Sequence, residues 1–461
     1  MNRPEERSVD KTVDSIQQRL TGYACDLNYD SLSPEAIDAA KVRIIDTLGA
    51  LIGGFFGEPC RIARNLAAQM LNAGGATVVG TRMKTTPDMA AFVNATTACY
   101  AAMTDSYHWP GSSHGHPSDT LMPVLAAAEH AQASGREFIT GIVLAYEVFC
   151  RISDVFHNPG FHNTNFCVVG SAVAAGKLLG LSPNQLSHCI SMAVVPNIIL
   201  KQATIKAVAA GQAGRAGVFA ALLARAGMEG PHLPFEGKAG WCDHVARKRF
   251  SLDTMGGSGT PFKIMDTQIK NRPAGGAAIA CILAAEKVAP LYIKNVKQVT
   301  VEVYKFAKEH TGTDKLAWNP DSPKTADFSA PYLVAATLMD GTVTLRSFND
   351  AHLKNPELRA LMQRIEVVEN ERFTQAFEQL PPEHRARVTV LTNSGERLVG
   401  ETGGDNEDLS APRSDAQIDE KFRGLTEDFL GAKRVNAILD RLRRLEDLGN
   451  VAEIPAAFVL D

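Results

Sequence analysis

The feature that most constrains this chain is the density of small residues inside apolar stretches of helical period. Val168–Gly180 reads VVGSAVAAGKLLG and Ala209–Gly227 reads AAGQAGRAGVFAALLARAG. Helices so poor in large side chains can approach one another closely, which marks core helices packed on other helices. A dinucleotide-binding reading of the same glycines fails, because no strand precedes them. Further helical patterns cover roughly 59–73, 86–104, 117–133, 136–157, 165–180, 183–195 and 208–227. Ser33-Pro34 reads as an N-cap followed by proline at the first helical position, with an apolar run behind it to Ala50.

The character changes near residue 290. Val296–Ala307 alternates and is rich in β-branched residues, Leu338–Phe348 holds a Met-Asp-Gly-Thr turn followed by VTLRSF, and Arg387–Glu401 reads as two strands around Asn-Ser-Gly. Helical periodicity returns over Asp415–Phe429 and Ala432–Leu448, after a polar linker at Gly403–Ser414. The expected fold is mainly α. Residues 1–268 form the first part of a large helical domain, 269–410 a smaller α+β lid domain, and 411–461 return to the helical domain. A chain of 461 residues is too long for one core, which agrees with two domains.

A net charge of -4, spread along the chain, offers no basic block for nucleic acid. An anionic substrate must then be held by a local cationic pocket. The eight cysteines form no CxxC pair and mostly sit in apolar helical stretches, as expected of small buried hydrophobes in a reducing compartment. The N-terminal stretch is charged and lacks the apolar core of a signal peptide, and no apolar run reaches the ~18 residues of a membrane span. A cytoplasmic protein with no membrane partner is expected.

Four clusters can carry chemistry. The densest is Thr104–Asp119, TDSYHWPGSSHGHPSD, a polar loop between apolar helices. It holds Asp105, Ser106, His108, His114, His116 and Asp119. His114-Gly-His116 with Asp119 has a metal-ligand spacing, but the dimetal pattern needs a further adjacent histidine and residue 120 is Thr. No metal is expected; a metal hydrolase using His108, His114, His116 and Asp119 is the alternative. Ser118 reads as a helix cap with Pro117 in the helix entry. That places His116 at a helix N-terminus, where the dipole disfavours the imidazolium. The second cluster is Phe156–Thr164, with His162. The third is Lys201 and Lys206, where a solvated lysine is the plainer reading. The fourth is Lys270-Asn-Arg272-Pro-Ala-Gly-Gly at the expected domain boundary, whose two cations suit a carboxylate.

In this order the motifs resemble the MmgE/PrpD family over nearly the whole chain. The resemblance begins at Asp46-Thr-Leu-Gly-Ala-Leu-Ile-Gly-Gly and continues through Phe92-Val-Asn94 and His116-Pro-Ser. It then takes in Gly160-Phe-His162-Asn-Thr164, Lys206 with Gly211, Lys270-x-x-Pro-Ala, and Asp327–Tyr332 ahead of Met339-Asp-Gly. It implies a helical domain built from both chain ends, an α+β lid, a homodimer, no cofactor, and a site between the domains. It also implies that His116, His162, Lys206 and Tyr332 are catalytic, with Lys270 at the lid boundary. Three positions depart from the family pattern: Ala102, Ala209 and Gly275 stand where an aspartate and two histidines are usual.

The implied chemistry is proton transfer at a carbon next to a carboxylate of a small di- or tricarboxylic acid. Such a carbon is a weak acid, so fixed cations must stabilise the charge that develops. Lys206, Lys270 and Arg272 are the expected clamp, His116 or His162 the base or acid, Asp105 an orienting partner and Tyr332 a proton donor. Asp105 and Ser106 fall on the polar residues of the family's acidic stretch. Dehydration of the 2-methylcitrate dehydratase kind comes first, because it needs one base, one acid and a carboxylate clamp. Epimerisation of a substituted succinate and decarboxylation of the cis-aconitate kind are alternatives. So is a catalytically silent protein that binds a carboxylate.

Overall fold

A computed structural model describes residues 13–109, 114–156, 158, 160–201, 206–404 and 413–460, without the side chains of Lys206 and Ala207. The helical part opens with α1 (Ser15–Asp26), α2 (Pro34–Gly54) and α3 (Glu58–Ala67). It continues through α4 (Pro87–Tyr100), α5 (Leu121–His130), α6 (Gly135–Val155), α7 (Thr164–Leu178), α8 (Pro183–Val194) and α9 (Lys206–Arg225). The starts are written in the local chemistry. Ser33 accepts from the Ala36 N–H with Pro34 behind it, and Ser134/Glu137 and Ser182/Gln185 form capping boxes on α6 and α8.

Two differences from the sequence reading stand out here. The helical pattern at 59–73 stops at Ala67, and a hairpin of β1 (Leu71–Thr77) and β2 (Lys84–Thr85) follows. The expected Ser118 cap is absent: Pro117–Thr120 is a 3-10 turn whose cap is His116, and the Ser118 N–H goes to Asp105 instead.

The glycines of α9 explain the close packing. A Cβ on Gly211 would lie 2.2 Å from Thr96 Oγ1 of α4, one on Gly214 2.4 Å from Pro123 of α5, and one on Gly217 2.7 Å from Ser171 of α7. Three successive turns of one helix thus touch three different neighbours, and each contact requires the missing side chain. Glycine costs a helix interior about 1 kcal/mol relative to alanine, which the packing must outweigh. Gly211→Val is expected to destabilise the protein by about 1–3 kcal/mol through overpacking, read as a fall in Tm by calorimetry. An unchanged Tm would mean that α4 and α9 are not pressed together at this point.

The second unit is built on a mixed sheet of β5 (Val296–Val303), β6 (Ile365–Glu369), β7 (Ala386–Thr392) and β8 (Arg397–Thr402) in the order β6-β5-β7-β8. β5 runs parallel to β6 and antiparallel to β7, and β7 and β8 form the hairpin around Asn-Ser-Gly, where Gly395 has φ 88°. α10 (Gly276–Glu286) and the helix Ala330–Asp340 cover it. The segment VTLRSF is no strand: Thr344 and Ser347 cap each other, and Leu345–Phe348 is a 3-10 turn.

One hydrophobic core draws on residues from Ile16 to Ile269 and again from Ile418 to Phe458, and another on Ala274 to Val390. The chain thus returns after the sheet. The helix Asp415–Leu430 lies along α2, where a Cβ on Gly49 would sit 3.0 Å from the ring of Phe422. Of the cysteines, Cys25 is exposed and the other seven are buried.

Candidate active site

The site grows from one short antiparallel contact. Tyr107 and Gly115 exchange both backbone hydrogen bonds, at 2.8 and 2.9 Å. Side chains alternate along an extended chain. Tyr107 points inward, its hydroxyl on Asp154, and Trp109 lies under the Lys263 ammonium, 3.7 Å from the ring centre. The residues between them face the other way. Ser106 and His108 on one side of the pair, and His114 and His116 on the other, therefore share a face. The rings bear this out: His108 and His114 are 5.7 Å apart between centroids and His114 and His116 5.6 Å, while Ser106 Oγ lies 3.4 Å from His114 Nε2. Gly115 admits no side chain, since a Cβ there would meet Phe149 at 2.6 Å and Asn163 at 3.0 Å. That contact also brings Asn163, the residue ahead of α7, against the hairpin.

Two of the histidines have their tautomers set by their partners. His116 Nδ1 is 2.7 Å from the Asp105 carbonyl oxygen. A carbonyl can only accept, so Nδ1 carries the hydrogen and Nε2 keeps a lone pair when the ring is neutral. His162 is the reverse. Its Nδ1 accepts from the Thr164 backbone N–H at 3.3 Å, which leaves the hydrogen on Nε2. The Asp105 carboxylate is fully buried and accepts from the Ser118 N–H at 3.0 Å; burial pushes its pKa up. Asp105 thus holds both ends of the His116 turn, in keeping with the orienting place expected of it.

Lys270 closes the site from below. β3 (Asp105–Ser106) pairs antiparallel with β4 (Gln268–Ile269), with Asp105 opposite Ile269, so Lys270 leaves the end of β4 on the Thr104 side and shares a face with Ser106. Its side chain is fully buried. A Cβ on Gly276, the first residue of α10, would lie 3.4 Å from Ser106 Oγ, 3.8 Å from His114 Cε1 and 3.9 Å from Lys270 Cε. A hydroxyl, an imidazole and a lysine stem therefore converge on a helix N-terminus, a place that attracts anions. Behind them, Lys421 of the returning helix binds the Asp46 carboxylate and donates to the carbonyls of Met103 and, at 2.6 Å, Lys270. Burial pushes Lys421 down and Asp46 up, and their mutual attraction works against both shifts. Close by, Ala102 takes a left-handed φ of 53°.

The roof comes from the second unit. His108 stacks on Phe377 at 4.6 Å, and Phe306 lies 6.1 Å from His114. Tyr304 and His384 join them, the Tyr304 hydroxyl 2.9 Å from His384 Nδ1. Burial holds His108 down at about 4 and, with the charge of His108 adding, His384 down at about 3. An unfolded histidine titrates near ~6.5. As pH falls from there towards 4, the unfolded chain takes up protons that the folded one does not, so stability falls. The Tm is expected to drop between pH 7 and pH 5, and to drop less in His384→Phe; equal slopes would contradict a buried neutral His384.

The other expected site residues fall as follows. Tyr332 is not in the cluster. It lies in the core of the second unit and its hydroxyl donates to the Ser347 carbonyl at 2.5 Å, while burial raises it to about 12. The tyrosine beside the histidines is Tyr304. Arg272 is engaged bidentately by Glu286, at 2.6 and 2.8 Å, so its guanidinium faces a carboxylate of the protein. Lys206 begins α9, but its side chain lies outside the described residues. Lys201 is exposed. Among the described residues, no group of three or more His, Cys, Asp or Glu is placed to hold a metal ion. A cavity of about 1190 Å³ lies along the 269–273 segment. Lys270, Arg272, Arg413 and Lys421 line it, but none of the histidines does. No helix among the described residues is long and apolar enough to cross a membrane.

Two family models match the chain: the MmgE/PrpD N-terminal domain over residues 18–253 and the MmgE/PrpD C-terminal domain over 273–446. A cis-aconitate decarboxylase-like protein of Aspergillus oryzae is 24% identical, over 96% of this chain and 97% of its own. Cis-aconitate decarboxylase of Homo sapiens is 26% identical over 94% and 92%. A 2-methylcitrate dehydratase of Salmonella typhi is 26% identical over 81% and 82%.

Proposed function

The chain belongs to the MmgE/PrpD family, and from that premise we propose that it is a hydro-lyase. It removes water from a small hydroxylated di- or tricarboxylic acid, as a 2-methylcitrate dehydratase does, with side chains alone and no cofactor. The observation that carries this reading is His116. Its Nδ1 hydrogen is committed to the Asp105 carbonyl, so Nε2 is a base aimed from a turn that Asp105 and Ser118 hold fixed.

The substrate carboxylate binds at the N-terminus of α10 beside Lys270 and Ser106. His116 takes the proton from the carbon next to it. The charge moves into the carboxylate, where Lys270 and the helix end stabilise it; a buried, pre-placed cation does this without reorganising water. His162 donates its Nε2 hydrogen to the same charge. Lys206 enters the proposal on its family motif alone. By the same resemblance the protein acts as a homodimer in the cytoplasm. Epimerisation is the second reading, favoured by the 5.6 Å spacing of the His114 and His116 rings, which suits two bases on opposite faces of one carbon.

Proton NMR in deuterated buffer tests the reading, with 2-methylcitrate, citrate, cis-aconitate, iminodisuccinate and tartrate-like diacids as the panel. The expected result is an alkene product from a hydroxy acid. Deuterium at a carbon next to a carboxylate with inversion and no alkene would replace dehydration by epimerisation. Loss of carbon dioxide would replace it by decarboxylation. Silence across the panel from folded protein would overturn the carboxylic-acid reading.

A further inference from the structure

We propose that His114 is the proton donor to the leaving hydroxyl; this rests on the dehydration reading above. Elimination of water needs a base at carbon and an acid at oxygen, and His116 supplies the first. The acid must lie near the same substrate bond and must be able to carry a full proton. His162 does not meet the second condition. Its Nδ1 accepts the Thr164 N–H, and a second proton on the ring would have to break that hydrogen bond. Tyr332 does not meet the first, since its hydroxyl is bound to the Ser347 carbonyl.

His114 meets both. It stands between His108 and His116 on the hairpin face, with the Nε2–Cε1 edge of its ring turned to Ser106 Oγ and to the start of α10. A carboxylate held there by Lys270 places its neighbouring carbons against that edge. The His114 and His116 rings are 5.6 Å apart and inclined at 81°. Two groups each in hydrogen-bond contact with one end of a carbon–carbon bond need about that separation. Ser106 holds the ring by its hydroxyl, which either donates or accepts and so tolerates both protonation states.

The step balances as follows. The C–H bond breaks and its proton goes to His116 Nε2. The electron pair forms the C=C bond, and the C–O bond breaks with its pair on oxygen. That oxygen takes the proton of His114 and leaves as water. His116 ends protonated and His114 neutral, and exchange with solvent restores the pair.

The test is His114→Gln and His114→Ala, assayed on the hydroxy acid the wild-type protein dehydrates. Turnover is expected to fall about 10²-fold or more at neutral pH. In the residual activity of His114→Gln, the alkaline limb of the pH–rate profile should disappear while the acidic limb stays, because the lost group is the one that must be protonated. Imidazole added to His114→Ala should restore turnover. Wild-type turnover in either variant overturns the proposal and leaves dehydration standing. So does a uniform loss that keeps both limbs and ignores imidazole, which would make His114 a prop for the loop. A wild-type protein that releases no water from any hydroxy acid overturns the dehydration reading and this role together.

Discussion

Replacing His116 with glutamine is expected to lower kcat by about 10³-fold while leaving the fold intact, the size of effect that removal of a positioned base produces. Glutamine keeps an N–H for the Asp105 carbonyl, so the turn from Asp105 to Ser118 should survive. What it lacks is a basic nitrogen on the opposite edge, since an amide oxygen does not take up a proton near neutral pH. The measurement is steady-state turnover and deuterium exchange beside a melting curve. Exchange at the substrate carbon should vanish with turnover, since His114 in its protonated form cannot accept that proton. Persistence of exchange at the wild-type rate would move the base elsewhere, and a collapse of Tm would mean that His116 is chiefly a structural link.

Lys270→Met is expected to lower activity out of proportion to stability. The Lys270 side chain is fully buried, and methionine fills a similar volume without the ammonium. The protein should stay folded at the assay temperature. kcat/KM should fall by about 10²–10³-fold, as on removal of one stabilising group from a developing oxyanion. The outcome that sinks this assignment is a large drop in Tm with proportionate loss of activity, the mark of a lysine that serves the fold.

Most of the helical part was legible from apolar periodicity and, at one helix start, from local chemistry. Ser33-Pro34 is a short-range signal, and the structure starts α2 there; α6 and α8 were legible from apolar periodicity, and capping boxes fix their starts. The hairpin at Leu71–Thr85 was missed for the same reason inverted: LNAGGAT has little alternation, and its pairing with Lys84–Thr85 is irregular. Val343–Phe348 misled because β-branched Val343 and Thr344 suggested a strand, whereas the Thr344/Ser347 cap decided the conformation.

In the site, the chemistry-bearing loop was visible as a polar island between apolar helices, but its geometry was not. Nothing local says that Tyr107 pairs with Gly115, and that pairing is what puts three histidines on one face. Tyr304 and His384 show the limit most clearly. One follows β5 and the other precedes β7, and they meet because Val303 is in register with Ala386. A register between strands so far apart is a tertiary fact. Gly275, which departs from the family's histidine, has a physical correlate that no motif displays: a Cβ there would lie 2.7 Å from the Phe328 ring.

Lys421 carries a consequence for the order in which the protein is made. Its three acceptors, Asp46, Met103 and Lys270, come from the first part of the chain and from the edge of the second unit, while the ammonium that joins them arrives on a helix synthesised after the whole sheet. A chain growing on the ribosome can have folded every histidine-bearing segment and still lack the tie that seats Lys270. The proposed site is thus completed by a helix that emerges after the sheet. A nascent chain that has not yet made this helix would hold Lys270, the proposed substrate-binding lysine, without that tie.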